Sequence, residues 1–327
     1  MTLFQRKKDK RNALIIKDHV IRYIRARKPD LDELEVMDER YLPPGVIQEG
    51  RVQDEETLRQ ILQECADVWG LHRKPVQYCV PDAFVVAREV PLPEEVGEDE
   101  IGAYLYMEVG DSIAVPFDDP VFDYVYVPER HVVILLAAPR GPVDTYAGLL
   151  ESLNCRPNAA DISSLCFYRA LAMSEAVDQN AHTLLVLVDL YAVNISVFHE
   201  GRPLFISRMS LETEEEDWSI QTGRFRSYQP VWNGHPETLQ QQAVTAAEEV
   251  ERIMNFYRYS MQRGEKGIDG IFTGGDHPFL ERWTDTLAGR LDIPVKQVGA
   301  ARITAGQEEV PMRYYENAGL VLKQNIR

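Results

Sequence analysis

Two short apolar stretches, each folded back on itself by a polar turn, constrain this chain more than any other feature. Ala13-Leu14-Ile15-Ile16-Lys17-Asp18-His19-Val20-Ile21-Arg22-Tyr23-Ile24 reads as strand, tight turn, strand. Far downstream, Leu184 to Asp189 followed by Leu190-Tyr191-Ala192-Val193-Asn194-Ile195-Ser196-Val197-Phe198 reads the same way. A third element, Ile271-Phe272-Thr273-Gly274-Gly275-Asp276, is a strand running into a Gly-Gly turn. Aliphatic and β-branched runs bounded by polar turns favour strands. The same hairpin in both halves of a 327-residue chain implies two lobes.

Charge and cysteine usage exclude several function classes. A formal net charge of -17 argues against non-specific nucleic-acid binding, which relies on Lys and Arg neutralising phosphates. Cys65, Cys79, Cys155 and Cys166 are widely spaced with no CxxC pair, which suits reduced cytosolic thiols and neither a disulfide framework nor a zinc site. Met1 to Arg11 is basic, but no apolar h-region follows it, so it is not read as a signal peptide. The longest apolar run, Val132 to Ala138, is far short of the roughly 20 residues of a membrane-spanning helix. The chain is therefore expected in the cytoplasm, without a membrane span. The tail, with Leu3 and Phe4, could touch an anionic membrane surface. A solvated tail is the plainer reading, since one short cluster gives only marginal attraction.

The remaining periodicities divide the chain. After the first hairpin, Leu31 to Met37 alternates like a third strand, and Leu42 to Asp54 is a turn-rich connector. Asp54 is a candidate N-cap for a helix with Leu58, Ile61, Leu62, Cys65 and Trp69 on one face and Gly70 at its end. Pro75 to Val80 is a strand. From Pro81 the order becomes strand (Phe84 to Val90), helix (Glu98 to Val109), hairpin (Asp123 to Val127, His131 to Ala137) and helix (Pro142 to Leu153). That order is typical of a small α+β module set into a larger fold. A helix over Asp161 to Ala176 is expected to rejoin the first lobe. The second lobe follows with strands Leu184 to Asp189, Asn194 to His199 and Pro203 to Met209. An acidic run (Glu212, Glu214, Glu215, Glu216, Asp217) then leads into Trp218, Phe225, Tyr228 and Trp232. Like charges at this density favour exposure. The aromatics either form a partner patch or pin an ordered hairpin, and the hairpin is the expectation. The longest helix is Pro236 to Gln262, Glu248, Glu249 and Glu251 reading as its solvated face. Strand Ile268 to Thr273, helix Pro278 to Arg290, strand Pro294 to Val298 and a closing helix Tyr314 to Lys323 complete the chain. The expected divisions are a basic tail (1–11), a first lobe (12–181) with an inserted subdomain at about 81–160, a second lobe (182–309), and a closing segment (310–327) returning to the first lobe.

A hairpin that grips a phosphate points successive backbone N–H groups at the anion, and glycines let the backbone approach closely. A nearby carboxylate then orients Mg²⁺. In the first turn, Lys17-Asp18-His19, Asp18 would hold the metal and Lys17 a phosphate; without glycine, an ordinary polar turn is the favoured reading. In the second, Asp189 either contacts a cation through water or caps its turn by accepting from backbone amides, while Tyr191 would obstruct a phosphate. Thr273-Gly274-Gly275-Asp276, between a buried strand and a helix, leaves room for a flat ring. The candidate nucleotide-binding residues are thus Asp18, Asp189, Thr273, Gly274, Gly275 and Asp276. No catalytic residue or metal ligand is assigned, for the chain has no Walker A loop, no GxSxG elbow and no histidine-cysteine ligand spacing.

Taken in order, these segments resemble the PilM family of type IV pilus assembly, actin-like proteins related to FtsA. The resemblance covers about Asn12 to Lys323. It rests on Pro44-Gly45-Val46-Ile47-Gln48-Glu49-Gly50-Arg51-Val52-Gln53-Asp54, Val80-Pro81, Val90-Pro91-Leu92-Pro93, Leu136-Ala137-Ala138-Pro139 and Asn158-Ala159-Ala160-Asp161. Val188-Asp189 through Arg202, Glu248 to Tyr257, Phe272-Thr273-Gly274-Gly275 and Ala318-Gly319-Leu320-Val321-Leu322 extend it. The resemblance implies a two-lobe actin-like fold with ribonuclease H-like cores around a cleft and an α+β subdomain inserted in the first lobe. It implies an adaptor at the inner face of the cell membrane, binding the N-terminal cytoplasmic tail of a PilN-like inner-membrane protein and other pilus assembly proteins. The tail groove would lie among residues 81–160 and the adjoining first lobe.

This sequence departs from the family where nucleotide chemistry resides. The family reads D-I-G-S-x-S at the first hairpin and D-I-G-A-x-x-T at the second; here stand Ile16-Lys17-Asp18 and Asp189-Leu190-Tyr191. The Gly-Gly expected after Leu211 is replaced by the acidic run. The expectation is therefore a scaffold of a pilus, or of a related secretion or competence apparatus, with a degenerate nucleotide site and no cofactor. The alternative is an active ATPase or small-molecule kinase in which Asp18 and Asp189 orient Mg²⁺ on ATP. A soluble piece of a GspL-type secretion protein is a weaker third reading.

Overall fold

Two five-stranded sheets of one design organise the chain. The computed structural model describes residues 10–174, 176–222, 228–300, 304–305 and 308–323. The basic tail through Asp9, and Phe225, lie outside the described residues. In the first sheet the strands lie in the order Leu34–Tyr41, Val20–Ala26, Arg11–Ile16, Pro75–Val80, Arg156–Ile162. In the second the order is Arg202–Ser210, Ala192–His199, Thr183–Val188, Gly270–Gly275, Val295–Gln297. In each sheet the first three strands run antiparallel, and the last two are added in parallel. Antiparallel neighbours need only tight turns, whereas parallel neighbours need crossovers. Helix Glu55–Trp69 supplies the crossover in the first lobe and Pro236–Phe256 in the second. The central strand Thr183–Val188 is buried along its whole length, as a strand covered on both faces must be.

The helix Glu55–Trp69 starts and stops where local chemistry dictates. Asp54 Oδ1 accepts from the amide of Thr57 at 3.0 Å, and Gly70 ends the helix in the left-handed conformation (φ 67°). Leu58, Leu62, Cys65, Ala66 and Trp69 form its buried stripe.

Sequence reasoning erred at the fifth strand of the first sheet. A helix was expected from Asp161; the chain is instead a strand through Ile162, and the helix is Ser163–Met173. Pro157, Asn158 and Asp161 hide the strand's period. It lies at the sheet edge with an irregular register between Pro157 and Ala159, where proline is tolerated.

Between Val80 and Arg156 lies a three-stranded sheet in the order Val86–Pro91, Val132–Pro139, Pro120–Val127. One face carries helix Ile101–Glu108, with Leu105 packing among Val90, Val133 and Leu135. The other face is shared: Val121 and Leu136 pack on the first lobe's core, and Val127, Val132 and Ile134 join the second's. Gly50 fits against the start of this unit. Its φ is +73°, and a Cβ there would stand 2.6 Å from Pro81 Cβ, so both conformation and space call for glycine.

The closing helix Tyr315–Val321 is buried at all seven positions. It lies between helix Ser163–Met173 and the first sheet, where Asn317 Nδ2 donates to the carbonyls of Ala13 (3.1 Å) and Arg22 (2.9 Å). The acidic-aromatic stretch is an antiparallel hairpin, Trp218–Thr222 against Tyr228–Trp232. Trp218 packs with Leu190 and Leu239, its ring 5.0 Å from that of Trp232, so the aromatics do pin the segment down. Among the described residues, no helix is long and apolar enough to cross a membrane.

Candidate functional site

The two lobes face each other through matching hairpin tips. Each tip closes alike: the Lys17 amide donates to Val20 O and the Asp189 amide to Ala192 O, both at 2.9 Å. Lys17 and Asp189 hold equivalent positions, directly after the last residue of the first strand of each sheet. Across the cleft they meet, Lys17 Nζ lying 2.8 Å from Asp189 Oδ1. Two positions on, the equivalent pair His19 and Tyr191 meets edge to face with ring centroids 6.0 Å apart.

Charges extend this contact across the cleft. Lys17 Nζ also lies 2.9 Å from Glu316 Oε1 on the closing helix. His19 Nε2 and Arg22 Nη1 both reach Asp276 Oδ2, at 2.9 and 2.5 Å, and Arg22 Nε donates to Glu39 at 3.0 Å. Asp18 accepts from the Gly50 amide (2.9 Å) and from Arg208 Nη2 of the second lobe (3.0 Å). Ser210 Oγ donates to Glu49 across the same seam at 2.6 Å. The space left beside Lys17, Asp18, Gly50, Asp82 and Asp189 is about 40 Å³, enough for a few waters.

Burial makes these contacts strong and mutually dependent, because an unpaired charge in such a place is costly. Burial works against the Lys17 ammonium, but Asp189, Glu316 and Asp276 outweigh it and hold the lysine charged well above its ordinary range. Burial likewise opposes Asp276, yet His19, Arg22 and Lys17 keep its carboxyl well below the usual carboxylate range. Burial pushes the Asp189 carboxyl up, with Lys17 pulling against it.

The structure thus brings Asp18, Asp189 and Asp276 to one cleft, each against a cation of the opposite lobe. Thr273 points elsewhere, its Oγ1 2.7 Å from Thr284 Oγ1 in the second lobe's interior. The room beside the Gly-Gly turn is occupied by protein. A Cβ on Gly274 would stand 2.4 Å from the Phe167 ring, and one on Gly275 (φ +113°) 2.2 Å from Val188 O.

Arg22, Arg208, Glu316 and Asp82 were not singled out from sequence. A signal existed for two of them: Arg22 interrupts Val20-Ile21-x-Tyr23-Ile24 on a strand, and Glu316 is the one charged residue in the closing helix Tyr315–Val321. A charge at a position that the pattern buries implies a partner. Asp82 is buried against Ser163, accepting from its amide at 3.2 Å and from its hydroxyl. Burial pushes the Asp82 carboxyl up to about 6, with the Ser163 hydroxyl bond opposing the rise.

That shift gives a pH test. The folded chain holds the Asp82 proton more tightly than the unfolded chain, whose carboxyl titrates near 3.8. Its destabilising effect is absent below the unfolded value, grows as pH rises to about 6, and is constant above that. Asp82→Asn should stabilise the protein at neutral pH by up to about 3 kcal/mol. Urea unfolding of the two proteins should show the difference vanishing as pH falls to the unfolded value.

Two lobes built on the same sheet, with paired hairpins meeting in the cleft between them, define the actin-like ATPase fold. Within that class, the family profile described as Type IV pilus assembly protein PilM matches residues 16–211, and this chain belongs to that family. A solved structure described as the PilM-PilN type IV pilus biogenesis complex superposes with a TM-score of 0.73 at 16% identity, over 96% of this chain and 98% of that one. The ethanolamine utilization protein EutJ from Carboxydothermus hydrogenoformans superposes at 0.53 and 11% identity, over 96% and 89% of the two chains. At these identities the likeness is one of fold. No curated protein sequence matches the chain.

Proposed function

We propose that this chain is a scaffold of type IV pilus assembly that binds the N-terminal cytoplasmic tail of a PilN-like inner-membrane protein. It works in the cytoplasm, at the inner face of the membrane, and does not turn over ATP. Membership of the PilM family and the likeness to the PilM-PilN complex support the pilus role and the partner. The groove for the tail lies among residues 81–160 and the adjoining first lobe, a region whose sheet already packs on both lobes.

One observation carries the reading of the cleft: Lys17 lies between Asp189 and Glu316, where an ATPase would place its metal and phosphates. A tethered ammonium there takes the place of Mg²⁺, hydrogen-bonded to Asp189 and in ion-pair range of Glu316. Asp18, the other candidate metal carboxylate, is engaged by Gly50 and Arg208. The residues present therefore do not fit Mg-ATP.

Thermal melting with and without Mg-ATP tests this reading against the kinase or ATPase alternative. A bound nucleotide at a hundred times its Kd would stabilise by about 2.7 kcal/mol. The expected result is no shift. Immobilised N-terminal tails of pilus inner-membrane proteins should retain the chain whether or not Mg-ATP is present. Failure of every tail would remove the scaffold reading.

A further inference from the structure

The two sheets share one architecture but not one charge. At the end of the first sheet away from the hairpin tips, Arg156, Pro75 and Arg11 stand side by side on neighbouring strands. Arg156 pairs with Pro75, and Asn12 Nδ2, next to Arg11, donates to Pro75 O at 2.8 Å. Arg73 and Lys74 precede Pro75. Main-chain bonds from Arg156 N to Lys74 O (2.9 Å) and from Arg73 N to Asn154 O (2.6 Å) hold them at the same level. On its other side Arg11 pairs with Ala26, which stands between Arg25 and Arg27. A strand spacing of about 4.8 Å spreads this row of cations over about 15 Å.

Four of them have no acidic partner. Among the described residues no carboxylate pairs with Arg11, Arg73, Lys74 or Arg156, and Arg11 Nε is buried without a hydrogen bond. Arg73, Lys74 and Arg156 are exposed. Lys10, Arg25 and Arg27 share one carboxylate, that of Glu35, at 3.4, 3.0 and 2.6 Å. Asp30, Asp32 and Glu33 lie at the corner leading into strand Leu34–Tyr41, where Lys28 pairs with Glu33. The positive excess therefore falls on the ends of the other strands. The fold does not require it. Counting from the equivalent tip residues Lys17 and Asp189, Lys10 corresponds to His182 and Lys28 to Glu200; by the matching strand registers, Lys74 corresponds to Asp269. The second lobe builds the same sheet end without these cations, in a chain whose net charge is -17.

We propose that this rim of the first lobe is a membrane-facing surface that binds the headgroups of an anionic lipid bilayer. The chain ahead of Lys10 joins the rim and carries in its sequence Arg6, Lys7 and Lys8, with Leu3 and Phe4 further out. Cations next to apolar residues suit a bilayer surface, where the cations meet headgroups and the apolar residues the acyl boundary. One short cluster alone binds marginally, and stable attachment takes two signals. The rim supplies the second. The hairpin tips stand a strand's length away, about 20 Å, so the acidic groups near them lie beyond the screening length of about 8 Å and do not oppose the contact. The contact needs no partner protein and the test contains none, so its failure would leave the proposed function standing.

The test sediments the full chain with vesicles. Phosphatidylcholine vesicles containing phosphatidylglycerol should carry the chain down, and phosphatidylcholine alone should not. Binding should be lost in about 1 M salt, where the screening length falls to about 3 Å. Arg73→Asn, Lys74→Gln and Arg156→Gln together should weaken binding about a hundredfold, since each cation near an anionic surface is worth about fivefold. Arg263→Asn, Lys266→Gln and Lys296→Gln remove the same charge at exposed second-lobe positions and should change binding little. Arg73 and Arg263 both have positive φ (59° and 52°), which asparagine adopts readily. Cations near the ends of helices Glu55–Trp69 and Arg140–Ser152 also favour the helix dipoles. A role confined to that would lower the melting temperature of the first triple variant and leave its vesicle binding equal to that of the second. No sedimentation with anionic vesicles, equal binding by the two triple variants, or tighter binding to duplex DNA than to vesicles at the same phosphate concentration would overturn the proposal.

Discussion

Replacing Lys17 with alanine should destabilise the folded chain by about 3–5 kcal/mol, the usual cost of removing one partner from a buried ion pair. The reason is what remains. Asp189 and Glu316, at 10% and 4% side-chain exposure, would face each other across a cleft with no cation between them. Breaking a buried pair costs more than the pair itself contributes, because the surviving charge stays desolvated. The pH dependence identifies the mechanism. Burial already pushes the Asp189 carboxyl up, and Lys17 opposes it. Without Lys17 the folded chain binds that proton more tightly still, so the variant should regain stability as pH falls from neutral. Denaturant unfolding of both proteins across that range measures this. A deficit that is small, or independent of pH, would mean the ammonium does not hold the cleft. Lys17→Ala with Asp189→Asn should recover part of the loss, because the double variant removes both charges.

Gly319→Ala should be as damaging, by a steric route. Gly319 lies against the backbone of helix Ser163–Met173, and a Cβ would stand 1.7 Å from Cys166 O. The obstacle is main chain, so no rotamer relieves it; the closing helix must move away. That displacement would disturb the bond from Arg169 to the Gly319 carbonyl (2.7 Å) and both Asn317 bonds to the first sheet. It would also move Glu316 relative to Lys17. Overpacking alone costs about 1–3 kcal/mol, and the lost hydrogen bonds add to it. Hydrogen exchange should show faster exchange in Tyr315–Val321 and at the tip of the first hairpin, with the second sheet's central strand little changed. Unchanged protection at the hairpin would mean that the closing helix and the cleft are not coupled.

The sequence revealed the lobes better than the cleft, for a physical reason. Strands such as Thr183–Val188 announce themselves because burial on both faces demands an unbroken apolar run. The strand Arg156–Ile162 did not, since an edge position tolerates Pro157 and polar neighbours. Asp18, Asp189 and Asp276 were found from their place after strands, where a two-lobe fold collects its cleft residues. Their partners were not: the Lys17–Asp189 pair spans 172 positions and the Arg22–Asp276 pair 254, and no local pattern links such residues. The Gly-Gly turn was read as room for a ring. The need for glycine is explained by Phe167 and the Val188 carbonyl, which lie far from it in sequence and close in space.

The account rests on the cleft being closed by the protein's own charges. A crystal structure grown with Mg²⁺ and a non-hydrolysable ATP analogue tests this most directly. The prediction is Lys17 Nζ within hydrogen-bond distance of both Asp189 and Glu316, with no nucleotide between the hairpins. A triphosphate seated there, with Lys17 turned onto its phosphates and Mg²⁺ on Asp18 or Asp189, would contradict it.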